Sequence, residues 1–333
     1  MAEAQELPPL VELGSALRDG GYHFVTPTPA THERVRARAE RLAMAEGRPL
    51  LARNLRDVFG WNLPFRRTLL PPGMLAACDT AGVLGPATAA GAEQPDEIVR
   101  SQVRFATVDG PGGRLMFVHS AFPTTDRHAV FFGPDSYRFA AALTRTVWKA
   151  RRLIDVGCGT GVGGLLLAPR AEQVVLADVS PRALELARVN VALNPGGGAI
   201  SVCQSDVLGQ IEGDFDVVIA NPPYLADASP GHAGRLYRDG GGPLGLDLSV
   251  RIVTESLARL RAAAGGQLVL YTGVPIIEGQ NVLADRVEAV LREQATRWRW
   301  EELDPDVFGE ELDRPPYRDA ERLAVVLLVA EID

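Results

Sequence analysis

The sequence predicts an α/β protein built on a doubly wound, mostly parallel sheet, preceded by a mostly helical region that ends in a β-hairpin. Three observations predict it. From residue 136 onward, apolar runs of strand length alternate with helix-length stretches. The first of those runs, "RLIDV", feeds a glycine-rich loop, "GCGTGVGG". The runs are also nearly unbroken, as in "FDVVIA" and "LAVVLLVA", which suits strands covered on both faces.

Taken in order, "THERVRARAERLAMAEG" reads as a helix from a threonine cap at Thr31 to a glycine, and "PLLARNLRDVFG" reads similarly. A mildly low-complexity stretch, residues 81–95, follows. "RSQVRFATVD" and "GRLMFVHSAF", joined by "GPG", alternate as two strands of a hairpin do. Next come a helix, "SYRFAAALTRTVWKA", the first strand and the glycine loop. Strand "QVVLADVS", helix "PRALELARVNVAL" and strands "AISVCQSD" and "FDVVIANPP" continue the alternation. Helix "LSVRIVTESLARLRAAA", strand "GQLVLYTG" and helix "QNVLADRVEAVLREQA" lead to the closing strands "RWRWEEL" and "RLAVVLLVAEI". The expected organisation is a helical accessory region at 1–95, a hairpin linker at 96–130 and a catalytic α/β domain at 131–333.

The 333 residues are 46% hydrophobic and 23% charged, an ordinary globular balance. A formal net charge of −8, with a pI near 5.3, argues against a broad nucleic-acid grip and favours small molecules or proteins as partners. Cys78, Cys158 and Cys203 are far apart, which suggests neither a disulfide framework nor a zinc site. The five histidines lack ligand-like spacing, so no metal is expected. "MAEAQELPPLVEL" lacks the pattern of a signal peptide and no apolar run is long enough to span a bilayer, so a cytoplasmic protein is expected.

In the glycine loop, Gly157, Gly159 and Gly161 allow unusual torsions and close backbone approach to a ligand. Residues 159–164 also satisfy GxGxxG, so a dinucleotide is a rival to any other nucleoside. Asp178, ending the second strand, is placed to accept ribose hydroxyls under either reading. Asp206, ending the third, could reach an adenine amino group or serve only as a turn residue. Asp155 precedes the first glycine, where a carboxylate could hold a ligand's ammonium and would repel a pyrophosphate. That tilts the expectation toward S-adenosylmethionine.

Asn221-Pro222-Pro223-Tyr224 follows the fourth strand, at the edge where open α/β sheets bind ligands. Neither proline has an N–H, so the segment cannot continue a ladder. The Pro222 carbonyl and the Asn221 side-chain oxygen could then converge on one NH₂ group, orienting its lone pair and stabilising developing charge. Tyr224 could offer an aromatic wall to a flat acceptor. The plain alternative is a turn.

With "DVGCGTG", "SDVL" followed by "NPPY", and "RDGGGPLGLDLSVRIV", the chain resembles class I S-adenosylmethionine-dependent methyltransferases with the [DNS]PP[YF] signature. Within them it is most similar to the protein-glutamine N5-methyltransferases that act on release factors. "FFGPDSYRFAAAL" resembles the family's lead-in to the helix before the first strand, whereas "LYTG" lacks the acidic residue usual before that glycine. The resemblance implies a Rossmann-like sheet and S-adenosyl-L-methionine as cofactor, cradled by Asp155, Gly157, Gly159, Gly161, Asp178, Asp206 and Asn221. It implies catalysis by Asn221, Pro222, Pro223 and Tyr224 without a metal. The implied partner is a protein such as a translation factor, or alternatively RNA or DNA methylated on an exocyclic amine. An inactive cofactor-binding interaction module is the third reading.

Overall fold

The computed structural model describes residues 8–87, 98–227, 234–260 and 265–333. Most of the low-complexity stretch, the expected boundary at 95, residues 228–233 and the end of "LARLRAAA" lie outside them. The chain divides into two compact units. One comprises Met1–Thr125, Val130–Tyr137 and Arg188–Pro195; the other comprises Asp126–Ala129, Arg138–Ala187 and Gly196–Asp333.

The first unit holds α1 (Pro9–Asp19), α2 (Pro29–Ala45), α3 (Leu55–Phe59), β1 (Phe65–Arg66), α4 (Pro72–Thr80), β2 (Leu84–Pro86), β3 (Ile98–Ser101), β4 (Val103–Gly110) and β5 (Gly113–Ser120). Helix α2 starts earlier than expected. Thr28, not Thr31, is its cap, accepting the Thr31 N–H at 3.1 Å, because Pro29 at the first helical position gives up no N–H. Helix α3 is shorter than its pattern suggested. Asn54 caps it through the Asp57 N–H, and Gly60 ends it where a Cβ would strike the Phe24 ring.

The first unit is also less helical than expected, since β1, β3 and β2 form a small antiparallel sheet. The expected first strand of the hairpin breaks at Gln102. There the Ser101 hydroxyl donates to the Val103 carbonyl at 2.6 Å and accepts its N–H at 3.2 Å. Strands β4 and β5 form the hairpin itself, Val103 facing Ser120 through to Gly110 facing Gly113. The outer edge of β5 is not bare. Asn190 accepts from the Val118 N–H (2.8 Å) and donates to its carbonyl (3.1 Å), and Asn194 does the same at Met116 (2.9 and 2.8 Å). His32 and His119 are buried in this unit. Burial, with Arg104 and Arg36 adding, pushes the His32 imidazole down to about 3; burial and Arg104 hold His119 well below its usual range.

Helix α5 (Pro134–Thr146) carries the chain into the second unit. There follow β6 (Ala150–Val156), α6 (Val162–Leu167), β7 (Ala171–Asp178), α7 (Pro181–Leu193), β8 (Ala199–Gln204), β9 (Val217–Ala220) and α8 (Asp247–Leu257). Then come β10 (Gly266–Ile277), β11 (Gln280–Asn281), α9 (Val282–Gln294), β12 (Arg297–Asp304) and β13 (Arg322–Ile332). The sheet order is β12-β13-β10-β9-β6-β7-β8, with β11 beside β10. Strands β8, β7, β6, β9 and β10 are parallel, whereas β13 runs antiparallel to both β10 and β12. Ile154, Val218, Leu268 and Leu328 are fully buried in one core cluster, as unbroken apolar strands require. Strand β6 pairs with β7 on one side and β9 on the other, so the order reverses there. Ligands of open α/β sheets bind beyond the carboxyl ends of such strands.

Candidate active site

Three loops meet that reversal: residues 157–161 after β6, 178–180 after β7, and 221–227 after β9. Gly157, Gly159 and Gly161 take φ of +67°, +54° and +80°, values costly for any side chain bearing a Cβ. A Cβ at Gly157 or Gly159 would point into open space, a cradle that backbone alone lines. Deeper in, a Cβ on Gly163 would lie 2.7 Å from the Phe139 ring and 2.9 Å from Ile219, so glycine there seats α6 on the sheet. The Asp178 carboxylate closes the loop, accepting the Gly159 N–H at 2.9 Å and the Ser180 N–H at 2.8 Å. It is half-buried, and each oxygen keeps a lone pair for a further donor.

Asp155 and Asp206 lie in contrasting surroundings. The Asp155 carboxyl is buried and accepts the Gly164 N–H at 2.8 Å. Burial pushes its pKa up to about 8, the Gly164 bond opposing and Asp178 adding. Near neutral pH it is therefore mostly uncharged, and the repulsion invoked against a pyrophosphate loses its force. Asp206 is exposed in the turn after β8 and pairs with Arg251 at 3.1 Å. Cys158 is buried, and burial first, then Asp178 and Asp155, raise its thiol well above the usual range, which makes it a poor nucleophile.

Asn221 follows Ala220, the last residue of β9, and is half-buried. Among the described residues its side-chain amide makes no protein hydrogen bond, and the Pro222 carbonyl accepts none. Tyr224 is only 8% exposed. Its ring lies where a Cβ of Gly273 would be, and its centroid is 6.1 Å from that of Phe308. The aromatic wall expected of it is thus largely covered.

The sequence reading missed what holds this segment. Leu225 donates to the Arg238 carbonyl (3.0 Å) and accepts from the Gly240 N–H (2.9 Å), while the Tyr317 hydroxyl accepts the Ala226 N–H at 2.8 Å. A Cβ on Gly240 would collide with the carbonyls of Pro223 and Gly245, so the glycine run packs directly on the Asn-Pro-Pro-Tyr backbone. Asp227 takes Arg235 through both oxygens (2.9 and 2.6 Å) and Arg238 at 2.9 Å; Arg238 continues to Glu311. Burial opposes the Asp227 charge, but hydrogen bonds and attraction from the two arginines hold the carboxyl well below the ordinary range. The described part of residues 225–246, considered a surface loop or a lid, is therefore bound to the site. "GGG" was the visible signal; the partner Tyr317, in "RPPY", had none.

Residues 134–263 match the family described as "Methyltransferase small domain". This stretch contains all three loops. Among curated proteins, the chain is 35% identical over 200 residues to the release factor glutamine methyltransferase of Deinococcus radiodurans, a match covering 56% of this chain and 66% of that protein. It is 34% identical over 123 residues to the tRNA1(Val) (adenine(37)-N6)-methyltransferase of Yersinia enterocolitica, covering 35% and 48%. The chain thus spans about half to two thirds of the length of these relatives. Among solved structures, a methyltransferase from Pyrococcus furiosus aligns with a TM-score of 0.40 at 19% identity, over 61% of this chain and 88% of that one. Among the described residues, no cluster of three or more His, Cys, Asp or Glu side chains could hold a metal. No described helix is long and apolar enough to cross a membrane.

Proposed function

We propose that this chain is an S-adenosylmethionine-dependent N-methyltransferase of the cytoplasm, acting on a planar amide or amine nitrogen, with a protein glutamine side chain as the acceptor. One observation carries the reading: Asn221 and Pro222 stand at the switch point of the sheet with their amide and carbonyl uncommitted among the described residues. The cofactor fits the residues present. Gly157 and Gly159 leave open space that a Cβ would fill, Gly161 turns the loop at φ +80°, and Asp178 keeps acceptor capacity for ribose hydroxyls. Asp155 supports the loop from beneath through Gly164, and Asp206, exposed after β8 and paired with Arg251, is proposed to face the adenine. When bound, S-adenosylmethionine supplies a methyl carbon on a positively charged sulfur.

The chain's own part is positioning. The Asn221 oxygen and Pro222 carbonyl accept the two N–H bonds of the acceptor, aim its lone pair and favour the positive charge growing on nitrogen. The lack of an N–H on Pro222 and Pro223 keeps this backbone out of a ladder. Tyr224 anchors the segment in the core. The first unit, together with its hairpin, is proposed to select the acceptor.

A protein acceptor is supported by the 35% identity to a release factor glutamine methyltransferase and by the net charge of −8. The 34% identity to a tRNA adenine-N6 methyltransferase supports an exocyclic amine of a nucleic acid as the second reading. The test is labelled methyl transfer into a cell lysate treated with protease or with nuclease. Protease should abolish the labelled product and nuclease should spare it; the reverse selects the second reading. Asn221→Ala should bind S-adenosylmethionine normally by calorimetry yet lose about 100-fold or more in transfer. Undiminished transfer rejects the Asn221 assignment.

A further inference from the structure

A cleft within the first unit gathers polar groups that methyl transfer does not use. Arg104 on β4 and His119 on β5 are cross-strand partners, so their side chains leave the same face of the hairpin. Thr26 and His32, on either side of the start of α2, line the cleft with them, as does Phe132. Counting the solvent at its mouth, the cleft holds about 270 Å³, but between the side chains there is room only for a body the size of a water molecule. Arg104, Thr26, His32 and His119 are each at most 4% exposed. The guanidinium donates from Nε to the Gly60 carbonyl at 2.8 Å, stands 5.7 Å from the Phe24 centroid and has Nη2 3.5 Å from His32 Nδ1. None of these neighbours is negative, and among the described residues no carboxylate pairs with Arg104. Burial lowers its pKa only to about 10, so it is a cation at neutral pH.

The neighbouring groups lack partners too. A neutral imidazole carries one N–H, yet neither ring nitrogen of His119 has a hydrogen-bond partner, and nor does the Thr26 hydroxyl oxygen. The His119 ring is fixed by stacking on Phe132, centroid to centroid 5.4 Å. A buried cation without a counter-charge is costly, as are buried donors without acceptors. What answers a guanidinium, an N–H and an O–H together is an anion. We propose that this cleft binds one chloride-sized monovalent anion between Arg104, His119 and Thr26, tying the start of α2 to the hairpin. Water fits the same space but leaves the charge unanswered, and a polyatomic oxyanion is larger than the space between the side chains. Methyl transfer plays no part in such a site.

The test melts the full-length protein in sodium chloride and in sodium gluconate at matched ionic strength. Wild-type crystals are also soaked in sodium bromide, whose anomalous scattering marks a bound halide. Expected are a wild-type midpoint about 2 °C or more higher in chloride, rising to a plateau with concentration, and a bromide peak against the Arg104 guanidinium. His119→Phe keeps a ring to stack on Phe132 but removes the nitrogens. It and Arg104→Met should lose the chloride increment, whereas Arg114→Met, at an exposed arginine of the same hairpin, should retain it. Equal wild-type midpoints in the two salts overturn the proposal, as does an undiminished increment in His119→Phe. A water at Arg104 without anomalous signal in the soaked crystals overturns it as well, and that wild-type measurement decides even where Arg104→Met fails to fold.

Discussion

At Asp155, a residue expected to bind ligand, burial raises the carboxyl's pKa. An aspartate before a glycine loop is legible in sequence; that its carboxyl points at the Gly164 N–H is not, because only the fold decides which side of the strand end is buried. The sign of its effect on stability follows. Its folded pKa, about 8, lies above the ordinary 3.8, so over that window the folded state holds a proton that the unfolded chain releases. This contribution is present in acid and lost as pH rises toward about 8. Asp155→Asn can still accept the Gly164 N–H but does not titrate. The variant should therefore lose less thermal stability than wild type between about pH 5 and about pH 8, as read by calorimetry; parallel slopes reject the assignment. The strand-end places of Asp178, Asn221 and Pro222 were legible in the sequence, whereas the pairing of Asp206 with Arg251 and the packing of Tyr224 on Gly273 were not, because those neighbours lie far away in sequence.

Among the elements, the long ones of the second unit were read well, whereas helices α1 and α4 of the first unit were missed and the shortest strands left no signal. Every parallel strand of the second unit was visible as an apolar run. Strands β1, β2 and β11 span two or three residues and left no pattern. The turn from Arg238 to Leu246 shows how a loop can be as demanding as a strand. Gly241, Gly242 and Gly245 have φ between +71° and +75°, and Gly240, with no Cβ, lets the loop lie on the Pro223 carbonyl. Gly240→Ala should cost roughly 2–3 kcal/mol, the range for crowding a packed site without room to relax. It should lower methyl transfer as well, since the displaced backbone is that of Asn221 to Tyr224. Urea unfolding checks the first effect. A variant within about 0.5 kcal/mol of wild type would show that the loop yields freely.

Over the whole molecule, the doubly wound α/β sheet was legible in the sequence because it rests on strand-loop-helix signals. The division of the chain was not. A break near residue 130 follows composition, yet Arg188–Pro195 belongs with the first unit. The two asparagines in that stretch were indistinguishable in sequence from surface positions of an ordinary helix.

Those asparagines stand in for a missing neighbouring strand. Each offers β5 one donor and one acceptor, so that Met116 and Val118 meet side chains where an open edge would seek another polypeptide. A truncated protein ending at residue 130 keeps the hairpin but discards its cover. Such a fragment should self-associate as its concentration rises, by light scattering, whereas the intact chain stays dispersed; a monodisperse fragment would show that the cover is dispensable. Anyone trimming this protein to its front portion by the apparent composition boundary would be manufacturing an aggregation template.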